Sequence, residues 1–276
     1  MFRLPIALSV ALFGLSLGAF AQDAAETRYV LKLKPEASIE LEAHWDPSKG
    51  STYGLFKDQA WLNQPKVSVP KKRYSALDLR PLLPPGEVAL GETWQIGKDA
   101  ALPFLSQLHP SVRSDLGRGN AVEGAFGCLR AVGSEAIEIL FRTHVLFLPA
   151  PEVRFTPAQF EGRFVLGRDG DVLSFSLSLP SRDTNADLNV PFGDGMMIAD
   201  IGWVPRMEVC STPELYETEW IASVAEEKAR LRLARCFYAA ADVAWLPFEE
   251  AVQKAQSEMR PLHVVLLFGT LDDESC

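Results

Sequence analysis

The sequence has little of what usually announces a chemistry. It holds four cysteines in 276 residues, at Cys128, Cys210, Cys236 and Cys276. None forms a Cys-x-x-Cys pair, and no His/Cys cluster has the spacing of a zinc ligand set, so no metal ligands are legible. The four histidines are scattered, and no Gly-x-Ser-x-Gly or Ser/His/Asp arrangement can be proposed. Gly117-Arg118-Gly119-Asn120 lacks the Lys-Ser/Thr that completes a phosphate loop. Asp46-Pro47-Ser48-Lys49-Gly50 begins like a calcium loop, but its twelfth position is Lys57, where a bidentate Glu is required. Positive charge is scarce as well. The formal net charge is -9 and the longest basic run is Lys71-Lys72-Arg73, which argues against nucleic acid as a partner. There is no internal repeat and no low-complexity stretch. With 47% hydrophobic and 23% charged residues the chain has ordinary globular composition, which excludes disorder, collagen and coiled coil.

Long apolar runs are missing too, except at the start. Arg3 is followed by an uncharged stretch, Leu4 to Ala21, that ends in the small-x-small triplet Ala19-Phe20-Ala21. That is the pattern of a secretory signal peptide over residues 1–21, with a mature chain from Gln22 exported to the periplasm or beyond. Left uncleaved, the same segment is at the short limit for a span and gives a membrane association. Export places the cysteines in an oxidising space. Cys128 and Cys236 sit in apolar settings and read as small buried hydrophobes.

Residues 22–210 read as an antiparallel β-rich domain with one solvated sheet face. Residues 28–45 suggest two strands around a turn, and 46–75 a largely irregular stretch. Glu92-Thr93-Trp94-Gln95-Ile96 reads as a strand and 101–108 as a short helix. The clearest signal is a hairpin: Gln159 to Leu166 and Val172 to Leu179 around Asp169-Gly170. Its second arm puts Leu173, Phe175, Leu177 and Leu179 on one face and serines on the other. Further strands are expected at 187–190 and 198–204. Composition then changes. Ser211-Thr212-Pro213-Glu214 looks like a capped helix start, with acids early and Lys228, Arg230, Arg232 and Arg235 late, so a long connecting helix is expected over 211–240. A second helix opens at Pro247, with Phe248, Ala251, Val252, Ala255 and Met259 at helical spacing. After Pro261 the run Leu262-His263-Val264-Val265-Leu266-Leu267-Phe268 reads as a strand buried on both faces, and a loop leads to Cys276. Helix, buried strand, loop, cysteine is the order that opens a thioredoxin-like domain. The expected class is therefore α+β: a β-rich domain, a long helix, then an incomplete thioredoxin-like α/β unit over 241–276.

Beside Cys276 stand Asp272, Asp273, Glu274 and the terminal carboxylate, all of which disfavour a thiolate, so the chain as written carries a sluggish thiol. The loop Leu271-Asp272-Asp273-Glu274-Ser275-Cys276, with Pro247 to Gly269 before it, resembles selenoprotein N. Met197-Ile198-Ala199-Asp200-Ile201-Gly202-Trp203-Val204-Pro205-Arg206-Met207-Glu208 is similar to that family's Asp-Ile-Gly-aromatic-x-Pro-x-Met-Glu stretch, so the likeness covers about 155–276. The resemblance implies a selenocysteine immediately after Cys276, encoded by a codon that otherwise means stop, and no other cofactor. It implies that selenium attacks protein disulfide substrates while Cys276 acts as the resolving thiol. Animal members carry an EF-hand, and none is legible here. Two readings compete with an extracytoplasmic thiol/selenol-disulfide oxidoreductase: a secreted β-rich binding or structural module without catalysis, and an inactive fragment.

Overall fold

The computed structural model describes residues 27–114, 122–181, 184–212, 216, 218–238 and 243–264. Seventeen strands occur among them. In chain order they are β1 (Arg28–Tyr29), β2 (Ser38–Trp45), β3 (Gly50–Ser51), β4 (Lys71–Ser75), β5 (Val88–Ala89), β6 (Thr93–Ile96), β7 (Val112–Arg113), β8 (Ala125–Gly133), β9 (Ala136–Thr143), β10 (Leu146–Ala150), β11 (Val153–Pro157), β12 (Phe160–Gly167), β13 (Val172–Ser178), β14 (Ala186–Phe192), β15 (Met196–Trp203), β16 (Met207–Cys210) and β17 (Trp220–Ser223). Single-turn helices α1 (Leu55–Asp58), α2 (Ala60–Asn63), α3 (Ala76–Leu79) and α4 (Leu102–Leu105) lie between the early strands, and α5 (Glu226–Phe237) and α6 (Phe248–Glu258) follow the last one.

Every strand pairing is antiparallel, in three sheets. The largest runs β17-β8-β9-β12-β13-β16-β2-β4, and β6 shares the outer edge of β8 with β17. A second sheet runs β3-β15-β14-β11-β10-β7, and β1 pairs with β5. The two larger sheets share one hydrophobic core. Alternation explains how: Ile137, Ile139 and Phe141 of β9, Phe160 and Phe164 of β12, and Phe175 and Leu177 of β13 all point inward. Phe175 lies 4.8 Å from Phe104, 5.7 Å from Phe141 and 5.9 Å from Phe164, ring centre to ring centre. Trp45 of the large sheet stacks on Phe155 of the second sheet at 5.6 Å, tying the two layers together.

The expected hairpin is present as β12 and β13, with Gly170 at φ 93° in its turn. The backbone N–H of Lys34 donates to the Gly170 carbonyl at 2.9 Å, and its ammonium holds Asp169 and Asp171. A Cβ on Gly170 would stand 2.9 Å from the Lys34 nitrogen, so glycine is needed for the close approach as well as the turn. One detail differs. A bulge pairs Leu166 with Val172 but Val165 with Ser174, so Val172 packs on the core and Leu173 is displaced from it. Ser174 and Ser176, expected in solvent, are buried.

Two of the larger expectations are overturned. There is no long helix over 211–240: Trp220–Ser223 is β17, and α5 starts only at Glu226 and runs for 12 residues. The upper half of β8 leaves backbone groups at a sheet edge that need partners, and an aromatic, β-branched segment supplies them better as a strand. Gly133 makes this possible, since a Cβ there would lie 2.7 Å from the Glu219 carbonyl. The charge order still suits the short helix, with Glu226 and Glu227 in its first turn and Arg235 in its last. Nor is a thioredoxin-like α/β unit formed among the described residues. The second helix is where the spacing puts it, as α6 after Pro247, yet none of its residues is buried. Pro261 to Val264 is not a strand, and Leu262 and Val264 are exposed. An apolar strand of that kind forms only with neighbours that pair its backbone and cover both faces, and no described strand does so. The fold is thus β-rich with two modest helices. The two strands expected over 28–45 are present as β1, which pairs with β5, and β2, which lies between β16 and β4, whereas 46–75, expected to be largely irregular, contains β3, α1, α2 and β4.

Candidate functional site

Cys276, the residue on which the sequence reading placed the chemistry, lies outside the described residues, as does 265–275. What precedes it is α6 and the exposed Leu262 and Val264. The other cysteines can be placed, and they fall in two different environments.

The first is beneath α5. This helix lies over the outer face of β8 and β9, where Cys128, Leu140, Ala229 and Leu233 form a small apolar cluster. Burial pushes the Cys128 thiol up to about 11. Cys236, on α5, is half-buried, its thiol also raised by burial, and it donates to the Arg232 carbonyl at 3.3 Å. Cys128 fits the expected role of a small buried hydrophobe, whereas Cys236 is only partly buried, and burial raises both thiols rather than activating them. Around them runs a chain of ion pairs that clamps α5 to the sheet. Glu138, 2% exposed, bridges Arg130 and Arg163; Arg163 reaches on to Glu226; and Arg230 binds Glu226 at 2.8 Å and Glu161 at 2.6 Å. Burial alone would raise the Glu226 pKa, but the hydrogen bonds from Arg163 and Arg230 outweigh it and hold the carboxyl below its usual range. Beside this clamp, His144 Nε2 and the Tyr238 hydroxyl stand 2.7 Å apart.

The second environment is on β2 and β16. His44 and Glu208 are directly opposite in register, and Cys210 lies two residues beyond Glu208, so all three project from the outer face of the large sheet. Their neighbours Ala43, Trp45, Met207 and Val209 point into the core. One imidazole nitrogen, one carboxylate oxygen and the Cys210 sulfur lie within 4.8 Å of one another. Cys210 is 7% exposed and the Glu208 side chain 12%. Arg206 orients the carboxylate through its Nε, 2.6 Å from Glu208 Oε1. This set is the one arrangement of possible metal donors among the described residues. Sequence reading missed it because spacing in one segment is the signal it uses, and these donors come from strands that are neighbours in the sheet but more than 160 residues apart in the sequence. Only the Glu208-x-Cys210 pair in a strand could have hinted at it.

A third feature is a concavity of about 450 Å³ on the second sheet, lined by Glu152, Arg154, Thr156, Asn189, Met196 and Met197 among others. Arg154 and Asn189 are register partners on its floor. Phe192, Met196 and Met197 at the β14–β15 turn are exposed beside it.

These features define a β-sheet scaffold whose described thiols are structural or grouped with other metal-type donors, followed by a helical segment that leads toward Cys276. Comparison with known proteins finds the chain similar to selenoprotein N. It is 27% identical to selenoprotein N of Homo sapiens over an alignment 311 positions long, gaps included, covering 87% of this chain and 52% of that protein. The figures for selenoprotein N of Mus musculus are 27% over 311 positions, 87% of this chain and 56% of the relative. For Danio rerio they are 29% over 290 positions, 83% and 51%. The chain therefore spans about half the length of the curated relatives it matches. The likeness reaches well beyond the 155–276 stretch that the motifs suggested, into the β body. No family model and no solved structure matches the chain.

Proposed function

We propose that this chain works as a thiol/selenol-disulfide oxidoreductase of the selenoprotein N type outside the cytoplasm, acting on disulfides of other proteins, with Cys276 as its resolving thiol. The observation that carries the reading is the similarity to three curated selenoproteins N over more than four-fifths of the chain. A selenocysteine beside Cys276, as the loop motif implies, supplies a group that is ionised at neutral pH and attacks a disulfide readily. Cys276 then completes the exchange: the substrate cystine gains two electrons and leaves as two thiols, and the selenium–sulfur pair is oxidised until a thiol donor reduces it. The described cysteines support a division of labour. Cys128 is buried with its thiol pushed up to about 11, which keeps it out of thiol exchange at neutral pH. Export rests on the residue 1–21 pattern, which lies outside the described residues. Among those described, no helix is long and apolar enough to cross a membrane.

The test is reduction of a protein disulfide by the full-length protein from its native host, beside Cys276→Ala. A fall in turnover of at least about tenfold supports the reading. Unchanged turnover overturns it and favours a non-catalytic binding module, for which the concavity at Arg154 and Asn189 offers a surface.

A further inference from the structure

We propose that His44, Glu208 and Cys210 form a binding site for a divalent transition metal of the zinc type, separate from the Cys276 loop and independent of the redox reading above. The three side chains offer nitrogen, oxygen and sulfur donors within 4.8 Å of one another. Around a tetrahedral zinc, such donors sit about 2.0–2.3 Å from the ion and roughly 3.3–3.8 Å apart. Closing the remaining ångström asks only for side-chain rotation of His44 and Glu208, because the backbone geometry is already set. His44 and Glu208 face each other across the β2–β16 ladder, and Cys210 is on the same face one pleat further on.

The surroundings favour a built site over a chance grouping. The strands are interior members of the large sheet, with β13 on one side of the pair and β4 on the other. The end of β16 is pinned by two hydrogen bonds: the Ser211 N–H donates to the Phe175 carbonyl at 2.8 Å and the Phe175 N–H to the Ser211 hydroxyl oxygen at 3.0 Å. Arg206 grips Glu208 Oε1 at 2.6 Å, the same oxygen that the Cys210 sulfur approaches at 3.9 Å, and so fixes the ligand's orientation, as outer-shell partners of metal ligands do. Arg206 is itself held by its chain, since the Asp46 N–H donates to its carbonyl at 2.8 Å. Its positive charge opposes a cation, but it is offset: a bound dication meets two anionic donors, the Glu208 carboxylate and a Cys210 thiolate whose proton passes to solvent on binding. The donor set decides the metal class. A thiolate excludes calcium and magnesium, which take oxygen ligands, and a mixed imidazole, thiolate and carboxylate set suits zinc or cobalt. Three protein ligands leave a fourth position for water or a ligand atom from outside.

The test uses the full chain, stripped with chelator and titrated with Zn²⁺ against a chromophoric competitor, then with Co²⁺ as a spectroscopic probe. One equivalent is expected to bind, and Co²⁺ is expected to give the near-ultraviolet thiolate charge-transfer band and visible bands of tetrahedral intensity. Cys210→Ser should abolish the charge-transfer band, and His44→Ala, at a partly exposed position, should weaken binding by more than the roughly 100-fold that loss of an outer-shell partner produces. Cys276→Ala should keep both signals, which separates this site from the redox loop. Circular dichroism of each variant confirms that its fold is retained. Absence of metal uptake by the unaltered chain, or a thiolate band that survives Cys210→Ser, overturns the assignment.

Discussion

At the scale of single residues, the most consequential group is Glu138. It is 2% exposed, lies on the outer face of β9, and is paired with Arg130 at 2.8 Å and with Arg163. Breaking a buried pair leaves the remaining charge uncompensated and costs about 3–5 kcal/mol. Here two guanidiniums would lose their shared partner. Glu138→Ala is therefore expected to lower unfolding free energy by about 3–5 kcal/mol, read as a drop in the urea midpoint. Glu138→Gln, which keeps one acceptor oxygen but loses the charge and the second acceptor, should fall between wild type and Glu138→Ala. If Glu138→Ala moves the midpoint by less than 1 kcal/mol-equivalent, about the size of a surface pair, the clamp is not a buried network in solution. The acidic composition made a glutamate at this position unremarkable in the sequence. Its burial follows from α5 folding over β9, a contact between segments far apart in the chain.

At the scale of elements, legibility tracked how local the determining forces were. The β12–β13 hairpin could be read because alternation, an Asp-Gly turn and short loop closure all lie within one segment. The pairing of β12 with β9 could not be. It depends on Gly162 standing opposite Phe141, whose ring lies where a Cβ would be, 2.1 Å from its nearest atom. A single methyl at Gly162 would force that ring out of the aromatic cluster it shares with Phe175. Gly162→Ala is expected to destabilise by about 1–3 kcal/mol, the range for overpacking a filled core, measured by chemical denaturation. A neutral result would show that the ring can yield. The long helix failed for the complementary reason. Caps and charge order near 211–238 satisfy helix rules locally, but the open edge of β8 competes for the same residues and takes Trp220–Ser223.

At the scale of the whole molecule, the chain divides by burial. The β body is filled by large aromatic side chains, whereas α6 has no buried residue, and Phe248, Met259 and Val264 are exposed. Few buried apolar contacts mean low local stability. Limited proteolysis of the native protein should cut first within 243–264 and leave the β body intact, read by mass spectrometry of the early fragments. Early cleavage inside β8, β9 or β12 would contradict this ordering. The proposed metal site belongs to the well-packed part, since it is built into paired strands.

The sequence by itself determined what local chemistry can dictate: a β-rich body, the β12–β13 turn, the start of α6 at Pro247, and a C-terminal loop similar to selenoprotein N. Each of these rests on spacing, turn residues or a motif contained in one short segment. Tertiary structure decided the rest. It turned Trp220–Ser223 of a helix-like segment into β17, buried Glu138 and Cys128 under α5, displaced Leu173 through a bulge, and brought His44 to Glu208 and Cys210. Those outcomes depend on strand register and on competition for unpaired sheet edges, and both are settled only when distant segments meet.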